Sequence, residues 1–198
     1  MGTPSVTNIL KTGAIVWYAP YGEAIPDETT VAGAASWGGN WARIGYTAAP
    51  LIQTHEDERM LIEVEEELWA LDEHRTKAGG MLTTELSEIT ADYYALLFGG
   101  TVSTTVAGAS QKGFEQLDIN PTSLITKYAL GFEGLYQIAD GSTQPIRVFA
   151  EKATFKINGD TEWSQKTDTY SKIPIAMRVL KGTNYPLRFQ RITAAATS

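Results

Sequence analysis

Cysteine is absent from the chain, which excludes a disulfide scaffold and any thiolate metal site and fits folding in a reducing compartment. Histidine is nearly absent, with only His55 and His74, so a metal site would have to rest on carboxylates. No apolar run approaches the roughly 18 residues needed to cross a bilayer. The first residues also lack the basic region and apolar core of a signal peptide, so neither a membrane anchor nor a leader is expected. There is no Gly-x-Ser-x-Gly elbow, no Walker loop and no Gly-x-Gly-x-x-Gly turn. What remains is ordinary for a globular protein, with 43% hydrophobic and 20% charged residues in 198. That length suits a single domain over 1–198 with short arms at 1–12 and 193–198.

Charge is the property that is not evenly spread. The segment from His55 to Glu73 holds nine carboxylates against one arginine, a local charge of −8, while the chain as a whole carries −7. Everything outside the segment therefore comes to +1. An acidic protein of this kind does not adhere to nucleic acid phosphates, which basic proteins attract by counterion release.

Periodicity predicts an all-β protein with one short helix, a β-sandwich or partly open β-barrel. Gly13 to Ala19 is a β-rich apolar run closed by Pro20 and the turn residues Gly22, Pro26 and Asp27. Thr29 to Asn40 is a loop, and Trp37 and Trp41 bracket Gly38-Gly39 as aromatic anchors; Trp41 to Tyr46 is a short strand. Alternation over about 62–68 predicts a strand, because a helix would set Glu63 beside Glu67 at i,i+4. Lys77 to Gly80 then reads as a turn into a second strand over Met81 to Ile89, making one long hairpin with an acidic face. A helix follows, capped by Thr90, with Asp92 in its first turn and Tyr94, Leu97 and Phe98 as its apolar stripe. Gly99-Gly100 ends it. Beyond it, strands are expected at Val102–Ala107, Phe114–Ile119, Ser123–Tyr136, Ile146–Ile157, Tyr170–Leu180 and Leu187–Ile192, with Asn158-Gly159 the sharpest hairpin signal.

Three classes of function compete for these features. His55 with Glu56 and Asp57, or His74 beside Glu73, offers imidazole and carboxylate donors, but without a recurring ligand spacing they are better explained as solvated charges. Glu63 and Glu65, about 6.5 to 7 Å apart on one strand face, approach the carboxylate spacing of inverting glycosidases, yet they stand in a row and not on opposite sides of a sugar. Neither catalysis nor a cofactor is expected. A carbohydrate-binding module could stack sugars on Trp17, Trp37, Trp41, Trp69 and Trp163, although most tryptophans in such folds anchor the core. A subunit that closes with copies of itself accounts for the arms, the long hairpin and the single-signed face together, since ring closure satisfies open strand edges. Acidic faces lining a channel would repel a polyanion in transit.

The order of features resembles the tail tube (major tail) proteins of long-tailed bacteriophages. The series runs through Gly13-Ala-Ile-Val-Trp-Tyr-Ala-Pro20, Gly22, Pro26-Asp27, Trp41-Ala-Arg-Ile-Gly-Tyr46, Ile62-Glu-Val64 and Leu82-Thr-Thr-Glu-Leu-Ser-Glu-Ile-Thr90 to the helix ending Leu96-Leu-Phe-Gly-Gly100. It covers residues 13 to 100 as an ordered series and 125 to 190 as a β pattern. The resemblance implies a virion protein, assembled in the host cytoplasm, whose hexameric rings stack into a tube around a tape measure protein. The genome later passes down the lumen without adhering. Tail terminator and baseplate proteins would be further partners, and terminator, completion and baseplate hub rings share the fold. Carried onto this chain, the lining hairpin falls on Glu63 to Leu71 and Met81 to Ser87, with Glu63, Glu65, Glu67 and Glu85 facing the lumen and the helix of Thr90, Tyr94, Leu97 and Phe98 buttressing it. Glu66 breaks the apolar parity, which implies a bulge there or a cationic partner.

Overall fold

The computed structural model describes residues 14–30, 33, 36–48, 50–63, 72–119, 125–137, 143–163 and 171–193. In chain order these form β1 (Ile15–Pro20), β2 (Ala42–Arg43), β3 (Ile52–Ile62), β4 (Asp72–Leu86), α1 (Ala91–Phe98), β5 (Val102–Thr105), β6 (Phe114–Leu117), β7 (Tyr128–Gln137), β8 (Thr143–Ile157), β9 (Ile173–Val179) and β10 (Arg188–Arg191). One antiparallel sheet runs β2-β1-β7-β8-β9-β4-β3, with β10 also on β8, and β5 and β6 form a small second sheet. The large sheet does not close on itself. The expected all-β architecture with one short helix is what the chain adopts.

Alternation along β1 shows why both faces of the sheet are covered. Val16 and Tyr18 point into the larger core with Leu130, Phe155, Ile175 and Met177, and α1 closes that core with Leu96, Leu97, Tyr93 and Tyr94. Trp17 and Ala19 point the other way and pack with Trp37, Trp41 and Phe149. Trp17 and Trp37 stack at 4.9 Å, and Trp41 meets Trp37 edge-on at 5.3 Å. Full burial of large apolar side chains contributes about 1.5–3 kcal/mol each, so the strap carrying Trp37 and Trp41 is a structural layer as well as a connection.

A buried ion pair fastens the same strap. Glu133 and Arg147 are cross-strand partners on β7 and β8, 2.7 Å apart. Arg147 also donates to the carbonyls of Asp27 (3.2 Å) and Thr30 (2.6 Å), and the Gly33 N–H donates to Glu133 at 2.6 Å. Between them, two charges satisfy three backbone groups of the strap, which is the condition under which burying a charge is tolerated.

The helix forms where its cap residue predicts. Thr90 is extended, and its hydroxyl accepts from the Tyr93 N–H at 3.3 Å, while Gly99 ends the helix with its N–H on the Ala95 carbonyl. Leu96 is the buried residue of the helix. Tyr94 and Leu97 pack partly buried, and Phe98 stays 41% exposed, stacked on Tyr94.

Two expectations need correcting. The acidic hairpin exists, but its strands are β3 and β4, paired from Ile52↔Thr83 to Ile62↔Asp72. Lys77 to Gly80 is mid-strand and not a turn, and the partners of Met81 to Thr83 are Thr54 to Ile52, not residues beyond Glu63. Both faces of most of this ribbon meet solvent, so no apolar alternation marks the strands, and Gly79-Gly80 mimics a turn signal. Neither glycine has a positive φ. Gly79 instead leaves room for the Glu56 side chain opposite, 3.1 Å from where a Cβ would stand. At Asn158-Gly159 the flanking strands β8 and β9 do pair, yet the connection is no two-residue turn, because Glu162 and Lys172 extend it by a further bridge.

Candidate functional site: the acidic hairpin

The hairpin is rooted in the sheet and free beyond it. β4 is bonded to β9 only from Gly80 to Leu86, so Asp72 to Gly79 has β3 as its sole strand partner among the described residues. The register shifts once, between Glu58 and Arg59, and such a bulge sharpens the right-handed twist of a two-stranded ribbon.

Residues 52–86 contain three cations and ten carboxylates, a net −7 that equals the charge of the whole chain. Part of it is neutralised in place. Asp57 accepts from Arg59 at 2.6 Å and from Arg75 at 2.7 Å, and Arg59 also reaches Glu73 at 2.9 Å. Lys77 lies between Glu58 (3.0 Å) and Glu56 (3.3 Å). The hydrogen bond from Arg59, aided by Arg75, holds the Asp57 carboxyl below the usual carboxylate range, and Glu58 with Glu56 pushes the Lys77 ammonium up. Solvated pairs of this kind add little singly; here they join the two strands in one register. At the root, Lys172 meets Glu85 at 3.1 Å and Arg178 approaches Glu56 at 3.9 Å.

The expected lumen residues are separated by this geometry. Glu63 is exposed, one position beyond β3 at the far end of the described ribbon, and Glu85 is half-buried at the root of β4. Strand rise puts them roughly 40 Å apart. Glu65 and Glu67, with Glu66 and Trp69, lie outside the described residues. Sequence reasoning missed Glu56 and Glu58, which share the face of Glu85 through the pairs Glu56↔Gly79 and Glu58↔Lys77. The expected strand began ten residues too late to include them, and β3, solvated on both faces, carries no apolar alternation that marks its start.

Among the described residues, catalytic and sugar-binding chemistry find little purchase. A groove of about 550 Å³ at the hairpin root is lined by His55, Asp57, Arg75, Gly80, Leu180 and Leu187, among others. Its carboxylates are Glu56, which meets Lys77 at 3.3 Å, and Asp57, which is committed to two arginines and stays ionised, unfit as a proton donor near neutrality. No group of three or more metal-binding side chains gathers among the described residues, and His74 pairs with Met60. Trp17, Trp37 and Trp41 are 1%, 4% and 6% exposed, so none offers a stacking face. Trp163, at 68%, does. No helix among the described residues is long and apolar enough to cross a membrane.

A family model described as phage tail tube protein matches residues 6–196. The chain belongs to this family. No individual curated protein matched it. A tail tube protein is a structural component of a phage tail, and its copies associate with one another and with other tail parts. The open sheet suits that role, because β3 has a strand on one side only among the described residues. An edge strand of 11 residues with one side open is an invitation to pair with another chain.

Proposed function

We propose that this tail tube protein forms stacked hexameric rings whose acidic bore conducts DNA during ejection. The observation that carries the reading is the location of the charge: residues 52–86, which include both strands of the ribbon, sum to −7, the charge of the whole chain. A wall of fixed negative charge keeps a polyanion from adhering, so DNA slides past it. Glu63, Glu65, Glu67 and Glu85 are the bore-facing residues in this reading. Twist along the ribbon allows acids at its root and at its tip to face one axis. Before ejection the bore holds a tape measure protein, and terminator and baseplate proteins cap the two ends of the tube in the finished virion. A single closed ring, such as a terminator, completion or baseplate hub ring, is the alternative within the same architecture.

Negative-stain microscopy of purified protein separates the two, since a tube of unlimited length and one closed ring differ at sight; a monomer at high concentration and any salt would sink both. For the bore, particles carrying Glu63→Lys with Glu65→Lys are expected to assemble and to eject DNA slowly. Normal ejection kinetics in those particles would remove the lumen assignment.

A further inference from the structure

The tip of the hairpin presents an apolar stripe that the lumen reading does not use. Met60, Leu61 and Ile62 are 56%, 55% and 42% exposed, three consecutive apolar residues left in solvent, a pattern that serves a contact or is a fault. Alternation sets Met60 and Ile62 on one face, and the register places Asp72 beside Ile62 on that face. Glu63, the next residue along, falls on the opposite parity.

A surface of matching chemistry lies elsewhere on the same chain. Residues 171–193 carry five cations, Lys172, Arg178, Lys181, Arg188 and Arg191, and no carboxylate. Lys172 and Arg178 face Glu85 and Glu56 within the subunit, and Arg188 and Arg191 are on β10. That strand has β8 on one edge and no strand on the other among the described residues. Phe189, 66% exposed, and Arg191 share one face of β10, and the Arg191 guanidinium is braced 4.5 Å from the centroid of the Tyr136 ring. An apolar residue and a cation two positions apart on an open edge therefore complement an apolar stripe ending in an acid.

We infer that the hairpin tip of one copy seats on the β10 edge of the next, with Met60 and Ile62 against Phe189 and Asp72 opposite Arg191. This deepens the tube reading, on which it rests, by naming the two surfaces that meet. The lack of native cysteine makes the test clean. Full-length Ile62→Cys and Phe189→Cys proteins, mixed and assembled under mild oxidation, should give a disulfide-linked dimer that neither variant gives alone, while Ile62→Cys mixed with Ser110→Cys should not. Arg191→Glu should abolish assembly, and adding Asp72→Arg should restore it. Particles that assemble without the Ile62–Phe189 cross-link would overturn the contact and leave the tube reading standing. Wild-type protein that forms no particles would overturn both.

Discussion

Glu133 and Arg147 face each other across β7 and β8 at 2.7 Å, with no exposed side-chain surface on either. The pair is also the clasp of the Asp27–Gly33 strap, through the Asp27 and Thr30 carbonyls and the Gly33 N–H. Removing one partner strands a buried charge and frees the strap at once. Arg147→Met is therefore expected to cost about 3–5 kcal/mol, seen as a lower urea midpoint. The double change Glu133→Leu with Arg147→Met should cost less than the single one. Equal or greater loss in the double variant would show that the hydrogen bonds to the strap, and not the stranded charge, dominate.

Gly131 lies beneath the Trp37 ring, which a Cβ at that position would strike. The ring cannot simply swing aside, because Trp17 stacks on it and Phe149 lies 5.6 Å away. Gly131→Ala should destabilise by about 1–3 kcal/mol, the usual range for an overpacked core. Tryptophan emission should shift to the red, and an unchanged spectrum with unchanged stability would contradict the packing described.

Thr90 caps a helix of only eight residues, too short to persist without packing and caps. Thr90→Ala should lose about 1 kcal/mol and Thr90→Ser very little. Thermal unfolding of the three proteins decides this, and equal midpoints would deny the cap its role.

Where at least one face of a strand is buried, the fold was legible in the sequence. β1, β7, β8 and β9 alternate or run apolar because at least one face packs, and α1 announced itself by Thr90 and Gly99-Gly100. The hairpin was not legible, since β3 is bathed on both faces over residues such as Asp57, Glu58 and Met60, and Gly79 and Gly80 stand mid-strand opposite Glu56 and His55, not at a bend. Its charge was plain, its register was not. Glu133 was overlooked although it is the lone charge inside the otherwise apolar β7, a pattern that signals a buried partner; Arg147 shares β8 with Glu151, Lys152 and Lys156, which hid it. The absence of any carboxylate over 171–193 was also readable, but it gains meaning only once β10 is seen to have an open edge.

Glu151 ties the 181–187 loop to β8. Its carboxylate accepts from the backbone N–H groups of Tyr185 (3.0 Å), Asn184 (2.8 Å) and Thr183 (3.0 Å), and those bonds hold its pKa below the usual carboxylate range. With the folded value depressed, the stabilisation is fully present above the ordinary carboxylate pKa. It is lost as pH falls through that range toward the lower folded value. Glu151→Gln keeps the shape without the charge, so it should be less stable than wild type near neutrality, with the gap narrowing as the solution is acidified. The loop leads directly into β10, so the same variant should weaken assembly more at neutral pH than at pH about 4, near the ordinary carboxylate pKa. Denaturation midpoints measured across that range check the first claim, and a gap between the two proteins that stays constant with pH would refute it.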